Sequence, residues 1–148
     1  MTRILIVDDD SKAAEELHKV LASLLPKSVV IVVAASLGTA EDMMKELPYD
    51  LVITELCLLT AHESLNIWEK RLVRGIDLLQ AIRAGVFESG GDDVKGTSRN
   101  VELLVWTVNG DNSALNGALP FIYKPSFYFT KPCYTADFVR AVKGLLNL

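Results

Sequence analysis

Short apolar runs alternate with segments of helical periodicity along the chain, and the alternation repeats about five times. Residues 3–7 are typical of a fully buried strand. Residues 12–25 then place five apolar residues on one helical face, namely Ala14, Leu17, Leu21, Leu24 and Leu25. Helical crossovers between such strands require a parallel sheet that is covered on both faces. The pattern predicts further strands at residues 29–35, 50–54, 101–107 and 126–130.

The connections place helices between these strands. Thr39 and Asp42 form a capping-box pattern for a second helix, another helix is predicted from about Gly75, and Thr135 is predicted to cap the last one. Residues 60–74 have helical spacing, which predicts an extra helix, whereas the polar, glycine-rich residues 88–100 predict a mobile loop. We therefore expect one domain over residues 1–148, with insertions near 56–74 and 88–100.

Composition excludes several classes of function. The net charge is −4 without a dense run of Lys or Arg, which argues against direct binding to nucleic acid. The apolar run at the N-terminus is short and ends in carboxylates, unlike a signal peptide or a membrane span. Cys57 and Cys133 have neither CxxC spacing nor a secretory context, so we expect free thiols and a cytoplasmic protein.

Polar side chains follow the predicted strands at their carboxyl ends. In a parallel α/β sheet these ends form one rim, where ligands bind. Carboxylates there suit Mg²⁺, which prefers oxygen ligands, while a hydroxyl and a lysine suit the oxygens of a phosphoryl group. The residues at the rim are Asp8, Asp9 and Asp10, then Glu55, Thr107 and Lys131.

At these positions the sequence resembles the response-regulator receiver family, in particular its chemotaxis-regulator-like members. The matching segments are ILIVDD, DLVITE, GIDLLQAIR, the strand that ends at Thr107, and YFTKP. The resemblance implies a flavodoxin-like α/β fold with five parallel strands and helices on both faces. It implies metal-site roles for Asp8 and Asp9, a switch hydroxyl at Thr107, a switch aromatic at Tyr128 and a phosphate-sensing lysine at Lys131.

The departure from the family lies at the phospho-acceptor, where Glu55 replaces the usual aspartate. Glutamate is a poor acceptor in this family, and one negative charge mimics a phosphoryl group of about −1.5 to −2 only in part. The usual proline after the acceptor is missing, and Val108 occupies the place of a small residue. We expect Glu55 to lie within salt-bridge reach of Lys131. Mg²⁺ bound by Asp8, Asp9 and Glu55 would then be weak or absent.

The resulting prediction is an atypical stand-alone receiver in two-component-type signalling, with phosphorylation lost or impaired and no enzymatic activity. It would act through a protein partner, either a histidine kinase or a downstream signalling protein, with no membrane partner. Association through the aromatic segment Leu119–Phe129 would also allow a homodimer.

Two alternatives remain open at this point. One is a conventional receiver that accepts phosphate from a histidine kinase with Mg²⁺. The other is a metal-dependent phosphohydrolase, although the chain lacks a DxD pair and a glycine-rich phosphate loop. A third interpretation of the acidic cluster is purely structural, because carboxylates stabilise helix N-termini.

Overall fold

The computed structural model describes residues 1–56, 68–91, 94–107, 127–130 and 135–148. In these ranges strands and helices alternate, as the sequence pattern predicts. In chain order the elements are β1 (Arg3–Val7), α1 (Ser11–Leu24), β2 (Val30–Ala34), α2 (Leu37–Glu46), β3 (Leu51–Thr54), α3 (Trp68–Arg83), β4 (Ser89–Gly91), β5 (Val94–Lys95), β6 (Glu102–Thr107), β7 (Phe127–Thr130) and α4 (Thr135–Leu145).

Five of the strands form one parallel sheet in the order β2-β1-β3-β6-β7. Strand β1 lies between β2 and β3, and the helices α1 and α2 connect these parallel strands. Alternate residues of β1 enter two separate cores, and each is fully buried. Leu5 and Val7 pack with residues of α2 and α3, whereas Ile4 and Ile6 pack with residues of α1 and α4. The predicted α/β architecture is therefore confirmed.

The first two helices begin at polar caps. Asp10 caps α1, because its carboxylate accepts a hydrogen bond from the Ala13 amide at 3.2 Å. Helix α2 begins one turn earlier than predicted, because the Ser36 hydroxyl accepts from the Thr39 amide at 3.2 Å. The prediction that the capping box starts at Thr39 is wrong, since Ser36 is the residue with the extended backbone that an N-cap needs.

Helix α3 is longer than predicted. Residues 68–74 are helical, as predicted, but they form one continuous helix with the segment from Gly75 rather than an extra helix. Residues 57–67 lie outside the described residues. Gly75 does not start a helix but lies inside one, at a point where a Cβ would come within 1.9 Å of the Leu56 carbonyl oxygen. Its role is to allow close packing.

The prediction of a mobile loop over residues 88–100 is wrong for Ser89–Gly91 and Val94–Lys95, which form strands, whereas residues 96–100 have no regular helix or strand. Strands β4 and β5 pair antiparallel there. Thr97 is only 2% exposed; its amide donates to the Met44 carbonyl at 2.8 Å and its hydroxyl donates to the Leu47 carbonyl at 2.8 Å. These carbonyls end α2 and would otherwise lack helical partners. Thr97 therefore joins this segment to the end of α2.

The side chain of Arg83 forms hydrogen bonds with the backbone between this segment and the start of β6. One guanidinium nitrogen of Arg83 donates to the carbonyls of Arg99 and Val101, each at 2.8 Å. Burial lowers the pKa of Arg83, and the nearby Glu102 carboxylate opposes that shift. Because α3 ends here and β6 begins here, the β4–β5 hairpin lies at the amino edge of the sheet, opposite the rim of strand ends.

Several predictions concern residues outside the described part of the chain. They include both cysteines, the position Val108, most of the segment Leu119–Phe129, and Lys131. In the ranges that the structure describes, no helix is long and apolar enough to cross a membrane.

Candidate functional site

The order of the strands places the ends of β1, β3 and β6 side by side. Val7 pairs with Thr54, and Thr54 pairs with Val105. The amide of Glu55 donates to the Val7 carbonyl at 2.9 Å, which continues the ladder by one residue. Asp8 and Glu55 therefore follow two paired residues on neighbouring strands, and they share the carboxyl edge of the sheet.

The three consecutive aspartates have different environments. Asp8 is 2% exposed, and one of its carboxylate oxygens accepts from the Asp10 amide at 2.9 Å. Asp9 is half-buried, and Asp10 is exposed and caps α1. The helix-capping interpretation thus accounts for Asp10 alone. A buried carboxylate such as Asp8 needs its hydrogen bonds, because desolvating a charge without them is costly.

Glu55 is also buried, with 4% of its surface exposed. One of its carboxylate oxygens accepts from the amide of the next residue, Leu56, at 2.9 Å. The Thr54 hydroxyl donates to the Glu55 carbonyl at 2.9 Å. The side chain is therefore folded back onto its own backbone at the end of β3. The salt bridge to Lys131 stays a prediction, because Lys131 lies outside the described residues.

The remaining predicted site residues belong to β6 and β7. Thr107 is fully buried at the end of β6 and pairs with Thr130 in β7. Lys131 follows Thr130 in the sequence, so the chain brings it to the edge that Thr107 occupies. The backbone of Tyr128 pairs with Val105. The structure thus brings Asp8, Glu55 and Thr107 to one edge.

The donor chemistry of this edge suits a hard cation only in part. Carboxylate oxygens from Asp8, Asp9 and Glu55 are the ligand type that Mg²⁺ prefers. In the described ranges, however, no group of three or more His, Cys, Asp or Glu side chains is placed to hold a metal ion. Mg²⁺ in proteins commonly binds one or two carboxylates and keeps several waters. The site therefore fits a cation held by few protein ligands.

Sequence reasoning missed the contact that fixes the residue after Glu55. The Leu56 amide is bonded to the Glu55 carboxylate, and the carbonyl of Leu56 lies against Gly75 of α3. The backbone of one residue, Leu56, thus contacts both the buried acid and the helix. The only signal in the sequence was a glycine inside an otherwise helical run, which indicates a close approach of backbones.

Comparison with solved structures places this geometry in context. The structure matches a signal receiver domain from Colwellia psychrerythraea 34H with a TM-score of 0.74 and 17% identity, covering 100% of both chains. It matches a signal receiver domain of two-component signal transduction from Clostridium thermocellum with a TM-score of 0.73 and 19% identity, covering 99% of this chain and 98% of that one. The chain has the receiver-domain fold.

A third receiver carries a metal. The receiver domain of a sensor histidine kinase from Pseudomonas aeruginosa PAO1, with magnesium coordinated in its active-site cleft, matches with a TM-score of 0.67 and 18% identity, covering 99% of this chain and 98% of that one. No protein-family model matches the sequence, and the comparison with curated proteins gives no match either. The receiver fold is thus recognised from the structure. The resemblance of the sequence motifs to the receiver family is confirmed at the level of the fold.

Proposed function

We propose that this protein is an atypical receiver module of two-component-type signal transduction, in which Glu55 stands at the phospho-acceptor position and phosphorylation is lost or impaired. The receiver fold and the sequence motifs at the ends of β1, β3, β6 and β7 support the module. Fold alone does not give function, so the proposal depends on the chemistry of the rim.

The observation that carries the proposal is the state of Glu55. Its carboxylate is 4% exposed and is bonded to the Leu56 amide at 2.9 Å. A phospho-acceptor must present an oxygen in line with the donor's leaving group, so it needs access from solvent. A carboxylate that is buried and turned back onto the backbone is poorly placed for that attack. It is better placed to act as a fixed negative charge.

The neighbouring residues have roles that follow from this charge. Thr107 and Lys131 would sense the Glu55 carboxylate in place of a phosphoryl group, with Lys131 as its ion-pair partner. Asp8 and Asp9 would hold Mg²⁺ weakly, and the ion when bound would offset the repulsion among the rim carboxylates. With the lysine paired to Glu55, the rim needs less of this compensation, and Mg²⁺ binding would be weak or absent.

The output of such a module is protein–protein interaction rather than catalysis. We infer a partner that is a histidine kinase or a downstream signalling protein, which docks on the surface of β6 and β7. This surface adjoins Thr107, which ends β6 and pairs with β7. A change at the rim can therefore alter the docking surface through Thr107 and its strand.

The experiment that tests the proposal is phosphorylation by a small donor. The purified chain is incubated with acetyl phosphate and Mg²⁺, and intact-protein mass spectrometry measures the added phosphoryl group. We expect none on the wild-type protein and a gain on Glu55→Asp, whose carboxylate is one methylene shorter. Glu55→Gln, which keeps the length and removes the charge, is the matched control and should gain none.

The outcome that contradicts the proposal is stable phosphorylation of the wild-type chain, mapped by peptide fragmentation to Glu55. That result would favour a conventional receiver with Mg²⁺-dependent phosphotransfer. A phosphohydrolase would be revealed by turnover of a generic phosphoester that requires Mg²⁺ and is lost in Asp9→Ala, whereas we expect no turnover.

A further inference from the structure

Strand β2 ends the parallel sheet in the part of the chain that the structure describes, with β1 on one side and no strand on the other. Residues 28–36, SVVIVVAAS, contain no charged residue and no proline. Edge strands of monomeric proteins usually carry such residues, because unpaired backbone groups on an apolar edge template pairing with another chain. Val30 is 37% exposed, and Ile31, Val32 and Val33 are each partly exposed. This edge therefore lacks the charged residues and the proline that discourage pairing with another strand.

The direction of the backbone groups identifies which residues would pair. Val30 donates to the Thr2 carbonyl, and Asp8 donates to the Ala34 carbonyl. Backbone groups in a strand alternate in direction, so Ile31 and Val33 point their amides and carbonyls away from β1. The Ile31 carbonyl is already covered by the His18 ring, whose Nε2 lies 3.3 Å away. Val33 is therefore the centre of the outward-facing edge.

Helix α1 forms a wall along this edge. An open groove of about 560 Å³ lies between them, lined by Val33, Ala35, Ser11, Glu15, His18 and Lys19. Glu15 and Lys19 are both exposed and lie one helical turn apart on the groove. The face of α1 that lines the groove thus carries one acid and one base. An antiparallel copy of the same helix would place an opposite charge against each of them.

We propose that this groove is a self-association surface, on which a second copy of the chain adds its own β2 antiparallel to this one across a two-fold axis near Val33. In that arrangement the two Val33 residues exchange amide and carbonyl hydrogen bonds and the two sheets become continuous. The two-fold axis reverses α1 of the second copy, so Glu15 of each copy faces Lys19 of the other. A strand of an unrelated protein would not in general offer this charge pattern.

This surface differs from the segment Leu119–Phe129 and from the rim that contains Glu55. Association at β2 requires neither Mg²⁺ nor a phosphoryl group, so the inference does not depend on the proposed function. It assigns this protein a second interaction surface, at the opposite edge of the sheet from β7.

The test exchanges charges on the intact chain and measures association by sedimentation velocity across the micromolar range. Glu15→Lys and Lys19→Glu should each weaken dimerisation at least roughly tenfold, because each creates two like-charge pairs across the axis. An equimolar mixture of the two variants should restore the dimer, since every pair is then opposite in charge. Lys12→Glu and Glu16→Lys are matched controls on exposed α1 positions that do not line the groove. They should leave association unchanged.

A backbone variant tests strand pairing itself. Val33→Pro removes the outward amide, a change that edge strands tolerate, and should give a monomer, whereas Val33→Thr keeps the amide and should still dimerise. A wild-type chain that stays monomeric would overturn the inference, as would single charge variants that dimerise like the wild type. A mixture that fails to restore the dimer would overturn the two-fold arrangement.

Discussion

Replacing Gly75 by alanine adds a methyl group where the structure has no space for one. The ideal Cβ would lie 1.9 Å from the Leu56 carbonyl oxygen and 2.4 Å from both the carbonyl carbon and the Cα of Leu56. Favourable contacts between non-bonded carbon atoms occur at about 3.5–4.0 Å, so the overlap is severe. All three atoms belong to the backbone, which cannot rotate away as a side chain could. Either α3 or the Leu56 backbone has to move.

The expected change in the free energy of unfolding combines two terms of opposite sign. Overpacking a well-packed site costs about 1–3 kcal/mol, and a backbone clash belongs at the upper end of that range. Alanine in place of glycine inside a helix regains about 1 kcal/mol. The net destabilisation of Gly75→Ala is therefore about 2 kcal/mol. For a chain of this size that corresponds to a fall in Tm of about 4–8 °C.

Gly144 provides a matched control for the same substitution. It lies in α4, and nothing is within 4 Å of the position where its Cβ would be. Gly144→Ala should therefore stabilise the protein by up to about 1 kcal/mol, through helix propensity and the restricted unfolded chain. Urea unfolding followed by far-UV circular dichroism measures both variants. The reasoning would be refuted if Gly75→Ala were as stable as the wild type, or if both variants changed stability in the same direction.

The Leu56 backbone also links this prediction to the rim. Because the Leu56 amide holds the Glu55 carboxylate, a shift of the Leu56 backbone should loosen the buried position of Glu55. Gly75→Ala that remains folded should then expose the carboxylate, which NMR of Glu55 labelled with ¹³C in its carboxyl group would detect as a changed carboxyl chemical shift at fixed pH. An unchanged chemical shift would show that the helix does not position the acid.

Two further predictions concern the amino edge of the sheet. Thr97→Val keeps the shape of the side chain but removes the hydroxyl that donates to the Leu47 carbonyl and accepts from the Tyr49 amide. Urea unfolding should show that the free energy of unfolding falls by about 1–3 kcal/mol. An unchanged urea midpoint would contradict the capping role of Thr97. Hydrogen bonds from the Arg99 side chain and backbone lower the pKa of Glu88, so its contribution to stability is present above the usual carboxyl pKa and is lost as pH falls through the lowered value. The difference in stability between the wild type and Glu88→Gln should be small, because the pair is exposed, and should shrink toward acid pH; a difference that grew in acid would contradict the assignment.

Much of the fold follows from local features of the sequence. Apolar runs of strand length and helical periodicity gave β1, β2, β3, β6 and β7 to within one residue of their predicted bounds. Side chains directly after parallel strands must share an edge, so the positions of Asp8, Glu55 and Thr107 at one rim also follow from the order of the elements. These are properties of short segments and of chain connectivity, and they need no distant contact.

Other features depend on contacts between residues far apart in the chain. Thr97 bonds a carbonyl 50 positions away, and nothing in the glycine-rich segment around it signals that the end of α2 lies beside it. The start of α2 at Ser36 depends on which of two hydroxyl residues adopts an extended backbone. Gly75 looks like a helix boundary in the sequence. In the structure it lies inside α3, at the point where the Leu56 backbone comes close to the helix.

Glu55 shows most directly the difference between what the local sequence determines and what distant contacts determine. The sequence by itself determined that an acid ends β3 at the position where the receiver resemblance expects an acceptor. Only the tertiary structure decided that this acid is buried and bonded to the Leu56 amide. The chemical identity of a residue is local, whereas its solvation is set by its neighbours in space, and solvation controls whether a carboxylate can react.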